Sequence, residues 1–133
     1  MKRTRILVVD DDPRLVHIVQ MYLGIEGYDV VTAESGEDGL RSFEQHMPDL
    51  VILDIMMPGM DGVEVCRRMR QTASPEQVSI IMFSALSGDE DVARALDAGA
   101  THMIAKPFNL VGLGAVVRSF LPSPAQQAGA AGA

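Results

Sequence analysis

Five side chains in this sequence are suited to phosphoryl or metal chemistry, and all five stand where a short apolar run ends. Asp10 and Asp11 follow Ile6 to Val9, and Asp54 follows Leu50, Val51, Ile52 and Leu53. Ser84 follows Val78 to Phe83, and Lys106 follows Met103, Ile104 and Ala105. Brought together, they make three carboxylates, one hydroxyl and one ammonium. At about 4 Å in a partly screened site, each like-charge pair costs on the order of 4 kcal/mol before relaxation. A divalent cation would bring that charge to zero, and a set of oxygen ligands with retained waters suits Mg²⁺. A carboxylate is a poor nucleophile toward an anionic phosphoryl group unless its charge is offset in this way. With the charge offset, the chemistry available is in-line phosphoryl transfer to a carboxylate oxygen.

The elements that must position these groups can be read from the periodicity. Leu50 to Leu53 is bounded by turn signals, Asp49 before it and Pro58-Gly59 and Asp61-Gly62 after it, as expected of a strand buried on both faces. Asp12 is a good N-cap and Pro13 a good first residue for a helix with Leu15, Ile18, Val19 and Tyr22 on its inner face, ending near Gly27. Tyr28 to Thr32 reads as the second strand. Ser35 with Asp38, and Asp61 with Glu64, are capping-box-like pairs opening the second and third helices. Leu40 and Phe43 give the second helix its inner face, and Val65 and Met69 do so for the third.

A fourth helix runs from about Asp89 to Ala98 and closes at Gly99. The last helix carries Leu110, Leu113, Val116, Val117 and Phe120, with Gly112 and Gly114 inside it costing roughly 1 kcal/mol each relative to Ala. Strand and helix therefore alternate five times. The fold expected is α/β, a doubly wound parallel sheet of (βα)5 type with helices on both faces. In such a sheet all strand ends of one polarity share an edge, the edge where ligands bind.

Composition narrows the class. A chain of 133 residues fits one domain. Its net charge of −7 argues against direct nucleic acid binding by this segment. No apolar run approaches a membrane span, and Met1-Lys2-Arg3 leads into a strand rather than a signal peptide. The single cysteine, Cys66, excludes an internal disulfide framework and fits the cytoplasm, as a buried structural thiol. His17, His46 and His102 have no metal-ligand spacing. Met56, Met57 and Met60 read as packing around the site. Pro122 to Ala133 has no periodicity and reads as a flexible tail or interdomain linker, leaving residues 1–121 as the domain proper.

Four motifs in order carry a family resemblance: LVVDDDP at Leu7 to Pro13, LDIMMPGMDG at Leu53 to Gly62, Ser84-Ala85, and KPF at Lys106 to Phe108. From about Arg5 to Leu121 the chain resembles the receiver domain of bacterial two-component response regulators, a flavodoxin-like fold. The resemblance implies that Asp54 is the phosphoacceptor and that Asp10 and Asp11 hold Mg²⁺ together with Asp54 and the backbone carbonyl of Met56. It makes Ser84 the switch hydroxyl, which moves inward, and Lys106 the cation that contacts the phosphoryl group. The surface of the fourth and fifth helices would respond. The implied partners are a sensor histidine kinase or histidine phosphotransfer protein and a downstream effector domain or protein. It further implies a signalling domain rather than an enzyme, with at most self-phosphotransfer and slow autodephosphorylation, and a cis Lys106-Pro107 bond.

The sequence departs from the family at Met103, three residues before the lysine, where an aromatic residue is usual; the aromatic half of the switch is thereby in question. The last helix offers only Arg118 as a charge, against the dimer mode of winged-helix regulators. Two other readings use the same residues. A haloacid-dehalogenase-like phosphohydrolase would use Asp10 and Asp12, but it wants Thr or Val where Arg14 stands. A degenerate receiver would be a phosphate-independent interaction module.

Overall fold

The computed structural model describes residues 4–85 and 89–121. Ten elements alternate: β1 (Arg5–Val9), α1 (Pro13–Ile25), β2 (Asp29–Ala33), α2 (Gly36–His46), β3 (Leu50–Asp54), α3 (Gly62–Arg70), β4 (Ser79–Ser84), α4 (Asp89–Asp97), β5 (His102–Ala105) and α5 (Leu110–Phe120). The strands pair in the order β2-β1-β3-β4-β5, all parallel. This is the doubly wound sheet that the alternation predicts. The expectation for Pro122 to Ala133 falls outside the described residues.

Strand side chains alternate between two cores, as the two-residue period requires. Ile6, Val8, Leu50, Ile52, Ile81 and Phe83 face α1 and α5. Leu7, Val9, Val51, Leu53, Ile80 and Met82 face α2, α3 and α4. Because both faces of β3 are covered, its whole run is apolar and buried, and Asp54 is the first polar residue at its end. Among the described residues no helix is long and apolar enough to cross a membrane.

Local chemistry sets the helix starts. Asp12 accepts from the Arg14 N–H at 3.0 Å, and Ser35 accepts from the Asp38 N–H at 3.1 Å. Asp61 accepts from the Val63 N–H at 2.7 Å. The capping box expected at α3 does not form, because Glu64 turns outward to Arg67 at 2.7 Å and Arg68 at 3.3 Å. Gly27 takes φ 102° after α1, where L-residues with a Cβ are strained. The inner face of α1 also differs from expectation. Val16, Val19 and Leu23 are its buried residues, with Leu15 and Tyr22 partly buried, while Ile18 is 50% exposed. Gly114 of α5 has a packing role: a Cβ there would lie 3.0 Å from Cε1 of Tyr22, so its absence lets α5 close on α1.

Candidate functional site: an acidic cluster at the carboxyl edge of the sheet

Register carries the site residues to one edge. Val9 pairs with Leu53, so Asp10 and Asp54 are adjacent strand ends, and Ser84 pairs with Ala105, one residue before Lys106. Asp10, Asp11 and Asp54 each offer a carboxylate oxygen, and these oxygens lie within 4.8 Å of one another. Asp10 is fully buried, Asp54 is 4% exposed, and Asp11 stands exposed at the mouth. Asp12 is also exposed and is taken up by its cap.

Asp10 is held on both oxygens, Asp54 on one. One oxygen of Asp10 accepts from the Asp12 N–H at 3.0 Å, and the other accepts from Lys106 Nζ at 2.8 Å. Asp54 Oδ1 accepts from the Met56 N–H at 3.3 Å and lies 3.5 Å from Lys106 Nζ. Lys106 is therefore closer to Asp10 than to Asp54. Burial pushes the Asp54 carboxyl up, and the charge of Asp10 pushes it further, to about 6, against the opposing pull of Lys106 and the Met56 N–H. Burial acts to lower the Lys106 ammonium, but its hydrogen bond to Asp10 and the charges of Asp10 and Asp54 outweigh that and hold it above its usual value.

The loop after β3 depends on one close approach. A Cβ on Gly62 would sit 2.0 Å from the backbone oxygen of Asp54 and 2.8 Å from Cα of Ile55. No residue but glycine fits, and the Gly62 N–H donates to the Ile55 carbonyl at 3.0 Å. The start of α3 is thus seated against the backbone of the central carboxylate. The Asp61-Gly62 dipeptide signals a turn in the sequence, but nothing local signals this contact.

Comparison with known proteins now places the chain. The family model for the response regulator receiver domain matches residues 6–118. The chain belongs to the receiver domain family. It is 40% identical over 116 residues to the transcriptional regulatory protein AfsQ1 of Streptomyces coelicolor, covering 87% of this chain and 50% of that protein. It is 39% identical over 117 residues to the alkaline phosphatase synthesis transcriptional regulatory protein PhoP of Bacillus subtilis, covering 88% of this chain and 48% of that one. The chain thus spans about half the length of these curated relatives. Among solved structures, the BeF3-activated N-terminal receiver domain of Klebsiella pneumoniae RstA is 34% identical with a TM-score of 0.81, covering 90% of this chain and 99% of that one. TrrA from Thermotoga maritima in complex with Mg²⁺ and BeF is 38% identical with a TM-score of 0.79, covering 89% and 99%. The haloacid-dehalogenase-like reading is overturned by these matches.

Three further features of this receiver's site were only partly visible in its sequence. The ring of Phe83 stacks on that of Phe108 at 4.5 Å, and Lys106 Nζ lies 5.7 Å from the Phe83 centroid. The two rings form an apolar wall beside the lysine stem; Phe108 in the KPF motif was the available signal. Ser84 is already buried, 3% exposed, so its hydroxyl has no swing from solvent to make. Met103 is half-buried and packs on the core under α2, α3 and α4, so methionine fills the space at this position. The Lys106-Pro107 bond is cis. Of the three methionines expected to pack around the site, Met57 is buried and Met60 half-buried, but Met56 is 58% exposed. Cys66 is fully buried, and burial pushes its thiol up to about 11, the state of a structural thiol.

Proposed function

We propose that this receiver is a phosphorylation-dependent switch that takes a phosphoryl group onto Asp54 from a histidine kinase or a histidine phosphotransfer protein. The observation that carries the reading is the placement of the Asp54 carboxylate, with Asp10 and Asp11 within 4.8 Å and Lys106 at 3.5 Å. Receiver relatives named as BeF3-activated or Mg²⁺-BeF complexes support it.

The donor set fits Mg²⁺: three oxygen ligands, two of them on buried strand ends, with the Asp54 carboxyl raised first by burial and then by the charge of Asp10. Asp10, Asp11, Asp54 and the backbone carbonyl of Met56 would hold the ion. When bound, it supplies charge neutralisation to the carboxylates and to the phosphoryl oxygens. The chain's own residues do the rest. An oxygen of Asp54 attacks phosphorus in line, the P–N bond of the phosphohistidine donor breaks, and its electron pair returns to the imidazole. The Met56 N–H orients the attacking carboxylate. Lys106 exchanges part of its contact with Asp10 for a phosphoryl oxygen, and Ser84 donates to another. These two contacts draw on the ends of β4 and β5 and bias the surface of α4 and α5 toward a second state. The site acts once per phosphoryl group, as a signalling element with at most self-phosphotransfer and slow autodephosphorylation.

We place this activity in the cytoplasm, with residues 1–121 as the receiver and residues 122–133 as a tail or linker toward an effector. Incubation with Mg²⁺ and acetyl phosphate should add one acid-stable, base-labile phosphoryl group, and Asp54→Asn should abolish it. Incorporation that persists in Asp54→Asn would move the acceptor elsewhere. No incorporation in the wild type would leave the phosphate-independent module as the better reading.

A further inference from the structure

Lys106 reaches the two buried carboxylates from two strands away or more. Its backbone N–H donates to the Ser84 carbonyl at 2.8 Å, which fixes the residue beside the end of β4. Its ammonium nonetheless lies 2.8 Å from Asp10, at the end of β1, and 3.5 Å from Asp54, at the end of β3. With the strands in the order β1-β3-β4-β5, the side chain passes over the end of β4. Phe83 stands at that crossing. It is the cross-strand partner of Asp54, its ring is fully buried, and Nζ lies over the ring at 5.7 Å from the centroid. That is inside the roughly 6 Å at which a cation is drawn to the negative face of an aromatic ring. The stack on Phe108, at 4.5 Å and 19°, holds the ring in place.

Coulomb attraction falls with the inverse of distance, so at 2.8 and 3.5 Å the pulls of the two carboxylates differ by only about a fifth. Between two such nearly matched partners, a smaller third attraction decides where the ammonium stands. The ring lies on β4, next to β3 and two strands from β1, so it draws the ammonium to the Asp54 side. We propose that Phe83 is a positioning residue for phosphoryl transfer: its ring face keeps the Lys106 ammonium shared between Asp10 and Asp54 and stops it from settling on Asp10 alone. This role rests on the reading of Asp54 as the phosphoacceptor. An ammonium already beside Asp54 is in reach of a phosphoryl oxygen arriving there, whereas one committed to Asp10 must first leave a buried ion pair. An aliphatic side chain at this position would fill the same core but present no negative face.

Pentafluorophenylalanine at position 83 keeps a stacked ring but reverses the sign of its face, and Phe83→Met keeps an apolar side chain without a ring. With either change in the full chain, transfer from acetyl phosphate with Mg²⁺ should be roughly 3- to 10-fold slower than in the wild type. In a Lys106→Ala background the same changes should alter the rate by less than about twofold, because the group they act through is gone. Crystal structures of the two variants should show Nζ beyond about 4 Å from Asp54 Oδ1, with its contact to Asp10 kept. Unchanged transfer in the fluorinated variant, or equal slowing with and without Lys106, overturns the proposal and leaves Phe83 as core packing. So does an ammonium that keeps both of its distances in the variants. A wild type that takes up no phosphoryl group would sink the proposed function instead, and the crystal distances would still decide whether the ring holds the ammonium.

Discussion

A buried carboxylate and a half-buried guanidinium at opposite edges of the same sheet are treated in opposite ways. At the carboxyl edge, Asp54 shares a buried space with Asp10, and the one lysine between them is closer to Asp10. At the amino edge, Arg70 has no carboxylate partner in hydrogen-bond contact among the described residues, yet each of its three side-chain nitrogens donates. Its Nε donates to the Gly99 carbonyl at 2.8 Å, its Nη1 to those of Ser74 and Val78 at 3.2 and 2.7 Å, and its Nη2 to Thr101 Oγ1 at 3.1 Å. Burial draws the Arg70 guanidinium below its usual value, but four hydrogen bonds hold the fork and tie α3 to the loops before β4 and β5. The lesson is that burial alone does not mark a functional charge. The carboxyl edge differs in keeping two buried carboxylates on one lysine, a conflict that a bound cation would resolve.

The largest effect expected from breaking this comparison is at the satisfied edge. Arg70→Met would take the arginine donors from the Gly99 and Val78 carbonyls and from Thr101 Oγ1, and should cost roughly 3–4 kcal/mol in urea unfolding. Phosphoryl incorporation per folded molecule should be retained. A loss under 1 kcal/mol would mean that water replaces the guanidinium and that the edge is not held by it.

The conflicted edge should respond in the other direction. The Asp54 carboxyl rises from 3.8 to about 6 on folding, so the folded state holds more protons in that interval. Stability from this group is full below the unfolded value and is lost as pH rises through about 6. With metal chelated, Asp54→Asn should therefore match the wild type near pH 3.5 and exceed it by about 2–3 kcal/mol at pH 7. An equal difference at both pH values would show that the asparagine acts through packing and not through charge.

Metal titration sharpens the same contrast within the acids. Asp10 already spends both oxygens on Lys106 and the Asp12 N–H, whereas Asp11 is exposed at the mouth. Asp11→Asn should weaken Mg²⁺ binding by roughly tenfold or more, and Asp12→Asn should change it little while weakening the cap by about 1 kcal/mol. Equal losses of Mg²⁺ affinity in the two variants would mean that the wrong pair of acids has been assigned to the ion.

The smallest effect concerns the switch. Ser84→Ala should still be phosphorylated on Asp54, but amide shifts induced by beryllofluoride in α4 and α5 should shrink. Because Ser84 starts buried and Met103 carries no ring to rotate, the wild-type response itself should be a modest shift of helix and loop. A variant that responds as strongly as the wild type removes the hydroxyl from the mechanism.

Much of this molecule was legible in its residues because the governing interactions are local. The apolar run before Asp54, the cap at Asp12 and the turn signals at Pro58-Gly59 each act over a few residues. They were enough to lay out five alternating strands and helices along the chain and to place five polar groups at strand ends. The inner face of α1 was misread for a physical reason: a helix with two apolar sides has two solutions to its periodicity, and only docking on the sheet selects Val16, Val19 and Leu23.

Contacts between segments far apart in the chain were settled by the tertiary structure alone. Whether Lys106 pairs with Asp10 or Asp54 depends on the register of β5 against β4 and on the Phe83–Phe108 stack. That Gly62 must be glycine follows from the backbone of Asp54 lying against it, which no turn rule contains. Arg70 reads in sequence as one more charge at a helix end, and only the folded chain brings Gly99 and Thr101 within its reach. The sequence by itself determined which chemistry is present and at which strand ends, because side-chain type and the two-residue period are local properties. The distances that set the charge state of Asp54 were decided by packing, because the groups that act on it stand at the ends of β1, β3 and β5, far apart in the chain.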